Sequence, residues 1–111
     1  MSRQDWKLFI EDILESIDWI ENYVAGMDAE AFKNDRKTVD AVVRNFEIIG
    51  EAAKAIPADI KKKHEEVDWK AMIGLRNRIA HEYFGLSLSI IWKIVKDELP
   101  GLKKEIARIE T

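Results

Sequence analysis

The sequence predicts an all-α protein, a four- to five-helix up-and-down bundle. Three observations lead there. Apolar residues recur at three- and four-residue steps along almost the whole chain. No segment alternates apolar and polar residues between turn pairs, as a half-buried strand would. Only 5 Gly and 2 Pro occur in 111 residues, so turns are few and elements long.

The first helix carries Trp6, Phe9, Ile10, Ile13, Leu14, Ile17, Ile20 and Val24 on its apolar stripe and ends near Gly26. Asp28 is placed to cap a short helix over Ala29 to Phe32. A long helix follows from about Arg36 to Ile56. Its main stripe is Val39, Val42, Val43, Phe46, Gly50 and Ala53, while Ala41, Ile48, Ala52 and Ala55 fall on the far side. Asp40, Arg44, Glu47, Glu51 and Lys54 gather in one seam between them. A surface helix has one apolar face. This one has two, so it is either central in the bundle or covered by a partner subunit, and Gly50 permits close approach by another helix.

Pro57 fits the first position of a short helix through Lys63. Asp68 caps the next helix, Trp69 to about Phe84, which Gly85 is suited to stop in the left-handed conformation. Ser87 or Ser89 begins the last helix, with Leu88, Ile91, Trp92, Val95, Leu99, Leu102, Ile106 and Ile109 on one face. Pro100 should kink or restart it.

The length fits one domain over residues 1–111. A formal net charge of −3 counts against a protein that coats nucleic acid by bulk charge, but not against one that grips a single phosphate with placed cations. With no Cys, disulfides and thiolate metal sites are excluded. Only His64 and His81 are present, neither in a zinc-binding helix pattern, and there is no Gly-rich phosphate loop. Neither a cofactor nor a metal is expected. The run Lys61-Lys62-Lys63-His64 reads first as a solvated face and second as a guide for an RNA backbone. No apolar run approaches the roughly 20 residues that span a bilayer, and the start lacks a secretory segment. A cytoplasmic protein with no membrane contact is expected.

The helix from Trp69 to Phe84 breaks its own pattern. Its stripe reads Trp69, Met72, Ile73, Arg76, Ala80 and Tyr83, with Arg76 where an apolar residue belongs. A buried guanidinium requires an anion or hydrogen bonds. One reading pairs Arg76 with Glu47 or Glu51 of the long helix, and the other gives it an anionic ligand. Asn77 and His81 share a face about 100–140° round from Arg76. Taken alone, His81 reads as structural or solvated, and Tyr83 as a core aromatic with its hydroxyl at the surface.

Arg76-Asn77-Arg78-Ile79-Ala80-His81-Glu82-Tyr83 resembles the Arg-x4-His-x-Tyr signature of HepT-like toxins in the HEPN superfamily. The resemblance extends to Phe46 through Lys54, similar to the family's "IGEA(A)K" stretch, and to the Trp-plus-Gly lead-in Asp68 to Leu75. Leu88 to Leu102, with Trp92, Asp97, Leu99 and Pro100, resembles the closing "W-x-I-V…D-L-P-x-L". The departure is Glu98, where a shorter D-L-P is usual; it is expected to matter little.

The resemblance implies a helical bundle that dimerises, with two motifs facing a shared cleft. It implies a metal-independent endoribonuclease toxin of a type II/VII-like toxin–antitoxin module. Its antitoxin would be a minimal nucleotidyltransferase that adds AMP to the motif tyrosine, by position Tyr83. RNA is cut without metal when its 2′-OH attacks the adjacent phosphate. His81 then serves as general base or acid and Arg76 as phosphate clamp, with Asn77 orienting His81 or the phosphate. The rival reading is a catalytically inactive HEPN subunit that only binds a nucleotidyltransferase partner. A structural helical dimer with a buried ion pair is the third.

Overall fold

The computed structural model of the protein describes residues 5–84 and 87–109, with the side chains of 80–84 outside the described set. Helix α1 (Trp6–Val24) buries Ile10, Ile13, Ile17, Ile20 and Val24 of the stripe that its periodicity predicts and leaves Trp6, Phe9 and Leu14 half-buried. Gly26 ends it with φ 78°, a backbone conformation that L side chains resist. The short α2 (Ala29–Lys33) starts where Asp28 Oδ1 accepts the Ala31 N–H at 2.8 Å. Its Phe32 is fully buried and lies 5.2 Å, ring to ring, from Trp92.

Helix α3 (Arg36–Ala55) opens on Asp35, whose side chain accepts the Thr38 N–H at 3.1 Å. It is the central rod, with α1 against one side and α5 against another. Central packing covers most of its main stripe and Ala52, while Ala41 and Ile48 of the far side are half-buried and Ala55 is exposed. Val39, Val42, Phe46, Ile49, Ala52 and Ala53 are all buried. The polar seam faces solvent and holds two local pairs, Arg36 to Asp40 at 3.2 Å and Arg44 to Glu47 at 3.6 Å. The buried amide of Asn45 is satisfied by the Ala41 carbonyl at 2.9 Å.

Helix α4 (Ala58–Lys63) begins one residue later than expected, with Pro57 as the capping residue instead of the first helical one. Pro57 has an extended ψ of 147° there, and its carbonyl accepts the first helical N–H groups, from Ile60 and Lys61. Helix α5 (Trp69–Phe84) follows a short turn through Val67. The expected stop at Gly85 lies outside the described residues.

The last rod is continuous but not uniform. It comprises α6 (Leu88–Lys93), a π-helical turn (Ile94–Glu98) and α7 (Leu99–Ala107). Ser87 precedes it but makes no side-chain cap. The Leu99 N–H bonds the Ile94 carbonyl, five residues back. Pro100 explains the widening: it has no N–H to donate, and its ring crowds the carbonyl four residues earlier. The rod therefore restarts at Pro100 without breaking. Four long rods thus build the bundle, with α2 and α4 as short connectors, and no strand occurs among the described residues. Lys103 ties the last rod to the first, through Glu21 at 2.8 Å and Asp18 at 3.1 Å. No described helix is long and apolar enough to cross a membrane.

Candidate functional site

Helix α5 carries every residue that the sequence singles out for chemistry, and four local features fix it. Asp68 Oδ1 accepts the Ala71 N–H at 3.0 Å and starts the helix. The Trp69 ring is buried, and its indole N–H donates to the His64 carbonyl at 3.0 Å, so the entry angle is set before the first turn. Met72, Leu75 and Ile79 are buried as the core face. Finally, the backbone of α5 runs close to Gly50 of α3. A Cβ built on Gly50 would lie 3.4 Å from the Met72 carbonyl oxygen, 3.5 Å from that of Ile73 and 3.6 Å from Arg76 Cβ.

That contact corrects the expected stripe. The buried face runs through Leu75 and Ile79, and Ile73 is only half-buried. Arg76 has its root against Gly50, as a stripe residue would, yet the residue as a whole is exposed. A long side chain of this kind packs its stem and keeps its charge in water. The expected pairing with Glu47 or Glu51 does not occur. Glu47 sits with Arg44, Glu51 is exposed, and Arg76 makes no ion pair with any described side chain. A guanidinium so placed is open to an incoming anion.

Asn77 is exposed on the outer side of the helix. At about 100° per residue, the backbone of His81 falls on the same side as Asn77 and Gly74. Nothing lies within 4 Å of where a Gly74 Cβ would stand, so this face is open at that level. His81 and Tyr83 belong to α5 by their backbone, and their side chains lie outside the described residues. Arg76 and Asn77 are thus brought to one exposed stretch of one helix, and the backbone positions of His81 and Tyr83 continue it.

The sequence reading missed a contact beside these residues. Arg78 forks onto Glu98 at the end of the π turn, with Nη1 to Oε1 at 3.1 Å and Nη2 to Oε2 at 3.0 Å. No periodicity relates residues 20 apart on different rods, and Glu98 had registered only as a departure from a motif.

The Lys61–Lys63 run ends α4, with Lys62 and Lys63 exposed and Lys61 half-buried. Burial lowers the Lys61 ammonium below the ordinary lysine value. His64 Nδ1 lies 3.5 Å from Glu66. Among the described residues, no three His, Asp or Glu side chains gather closely enough to hold a metal ion.

Comparison with known proteins places this arrangement in a family. The model of the "Ribonuclease HepT-like" family matches residues 13–109. A protein of Methanocaldococcus jannaschii, named as an RNase by inference, is 43% identical over 106 residues, 96% of this chain and 97% of its own length. A protein of Thermococcus cleftensis, named by inference as ribonuclease HepT, is 40% identical over 107 residues, again 96% and 97% of the two chains. A bacterial relative from Caldanaerobacter subterraneus, also named by inference as an RNase, is 39% identical over 101 residues, 91% of this chain and 90% of its own. No solved structure matches the chain.

Proposed function

This chain belongs to the HepT-like ribonuclease family, and from that premise we propose that it is a metal-independent endoribonuclease, one domain over residues 1–111, acting as the toxin of a toxin–antitoxin module. The observation that carries the reading is the setting of Arg76. Its Cβ lies at the glycine notch of α3, while the residue is exposed and has no described carboxylate to neutralise it. A guanidinium on a docked helix with no carboxylate partner is what a phosphate clamp needs, because its two N–H groups are free to meet two phosphoryl oxygens.

The proposed reaction is transesterification within RNA. The 2′-OH attacks the adjacent phosphorus, His81 takes its proton, and the P–O5′ bond breaks. The 5′-oxygen leaves with a proton taken from water, His81 returns its proton to water, and the other product ends in a 2′,3′-cyclic phosphate. Arg76 stabilises the charge that grows on the phosphoryl oxygens, and Asn77 orients His81 or the phosphate. Two copies of the chain face their motif helices across a shared cleft. A nucleotidyltransferase antitoxin silences the toxin by adding AMP to Tyr83.

The test is cleavage of single-stranded RNA with EDTA present, with the product termini analysed. Wild type should cut and leave the cyclic phosphate. Arg76→Ala and His81→Ala should each lose about a hundredfold or more in rate, as expected for a charge-stabilising donor and a general base. Mixing the two variants, with light scattering to verify the dimer, reports whether one site draws on both copies, since a composite site regains activity in the mixed dimer. Cleavage that requires added Mg²⁺ would sink the mechanism, and a monomer at micromolar concentration would sink the shared cleft.

A further inference from the structure

From the fork between Arg78 and Glu98 we infer that this pair is a positioning clamp for the motif helix. The inference rests on the ribonuclease reading only for its catalytic readout.

Three observations carry it. The fork is bidentate, 3.1 and 3.0 Å, so it fixes direction as well as distance. It joins α5 to the last rod at a point two residues from Arg76 and one from Asn77. An open groove of about 250 Å³ runs between the two rods, lined by Met72 and Leu75 from α5 and by Ile94, Glu98 and Leu99 from the last rod, and the fork is a direct polar link across it.

The π turn supplies the acceptor. Glu98 is its last residue, and the five-residue bond from Leu99 back to Ile94 inserts extra backbone just before Pro100. Ile94 and Leu99 are buried, on either side of an exposed Glu98. Glu98 thus stands exposed at the end of the widened turn, and its carboxylate reaches Arg78.

Arg78 is a positioning residue in this account. Its guanidinium is committed to Glu98, and the clamp acts on the RNA-cutting groups only through the helix that holds them. Displacement of a catalytic group by about 1 Å is enough to lower a rate strongly.

Glu98→Gln tests this, because it keeps the side-chain shape and removes the charge-assisted fork. Two readouts are taken on the same protein. In steady-state RNA cleavage, kcat should fall about fivefold, the scale an exposed bidentate pair supports, with KM within about twofold. In hydrogen exchange, the amides of the second half of α5 should exchange about fivefold faster, while those of α1 and α3 stay unchanged. The double variant Arg78→Glu/Glu98→Arg should restore both. Unchanged kcat and unchanged exchange in Glu98→Gln would overturn the clamp. A rise in KM alone would overturn it too, by making Arg78 an RNA contact. If wild type does not cut RNA but Glu98→Gln speeds exchange in α5, the clamp stands and the ribonuclease reading falls.

Discussion

A guanidinium in water binds a phosphate by trading hydration for two parallel hydrogen bonds, and the trade favours binding when the side chain is already held in place. Arg76 has no described carboxylate partner to give up, and its Cβ is set at the Gly50 notch by the packing of α5 on α3. Because the residue is exposed, its truncation should cost little stability, within about 0.5 kcal/mol for a surface position. Loss of cleavage in Arg76→Ala therefore separates from loss of fold. Tyr83 stands seven residues on, about 20° from Arg76 around the helix. An AMP attached there would set a bulky anion near the proposed clamp and repel incoming RNA. Tyr83→Phe keeps the ring and removes the acceptor oxygen. It should still cut RNA but gain no adenylyl mass after incubation with the proposed nucleotidyltransferase partner and ATP. Equal modification of wild type and Tyr83→Phe would move the acceptor to another residue.

The contact between α3 and α5 sets the height and rotation of the motif helix. Gly50 is the residue at that contact, and its tolerance is graded. An added Cβ would meet the Met72 carbonyl at 3.4 Å, the edge of ordinary van der Waals contact. Gly50→Ala should therefore fold and be neutral to stabilising by up to about 1 kcal/mol, since alanine favours helix over glycine by that amount. Gly50→Val adds two methyl groups into the space that the α5 backbone and the Arg76 stem occupy. It should destabilise by about 1–3 kcal/mol, as overpacking does, and displace Arg76. Denaturant melts of the two variants check this, and a Gly50→Ala protein that loses as much stability as Gly50→Val would refute the graded contact. The last rod is held differently. Its π turn trades a regular bond pattern for continuity through Pro100, while Phe32 against Trp92, with the Lys96 ammonium 5.3 Å over the indole, docks α2 onto it.

Across the whole molecule, the first and last rods meet through apolar packing and one exposed ion cluster. Lys103 donates to Glu21 at 2.8 Å and lies 3.1 Å from Asp18. The hydrogen bond to Glu21, with that to Asp18, holds its ammonium above the ordinary lysine value. A raised lysine contributes stability that is fully present below its unfolded value, about pH 10.4, and is lost as pH rises through the folded value. Lys103→Met should therefore melt lower than wild type at pH 7, and the difference should close as both are taken above about pH 10.4. The shift will be modest because the cluster is exposed and salt screens it. A difference that persists unchanged at alkaline pH would assign the loss to packing of the lysine stem.

The helical order of the chain was legible in local residues because it is locally caused. Asp28 and Asp68 cap, Gly26 stops a helix, and the stripes of α1 and α3 bury most of the residues that their periodicity marks, leaving Trp6, Phe9, Leu14 and Val43 half-buried. The motif on α5 was legible too, because its spacing survives in the sequence whatever the helix packs against. What only the tertiary structure decided are relations between rods. Whether Arg76 reached solvent or a buried acid, and which side chain Glu98 meets, depend on which helix lies alongside and at what height. Periodicity reports a direction around one helix axis. It carries no information on the neighbour that fills that direction, so Arg76 in its stripe read as buried until the notch at Gly50 and the open space beyond it were known.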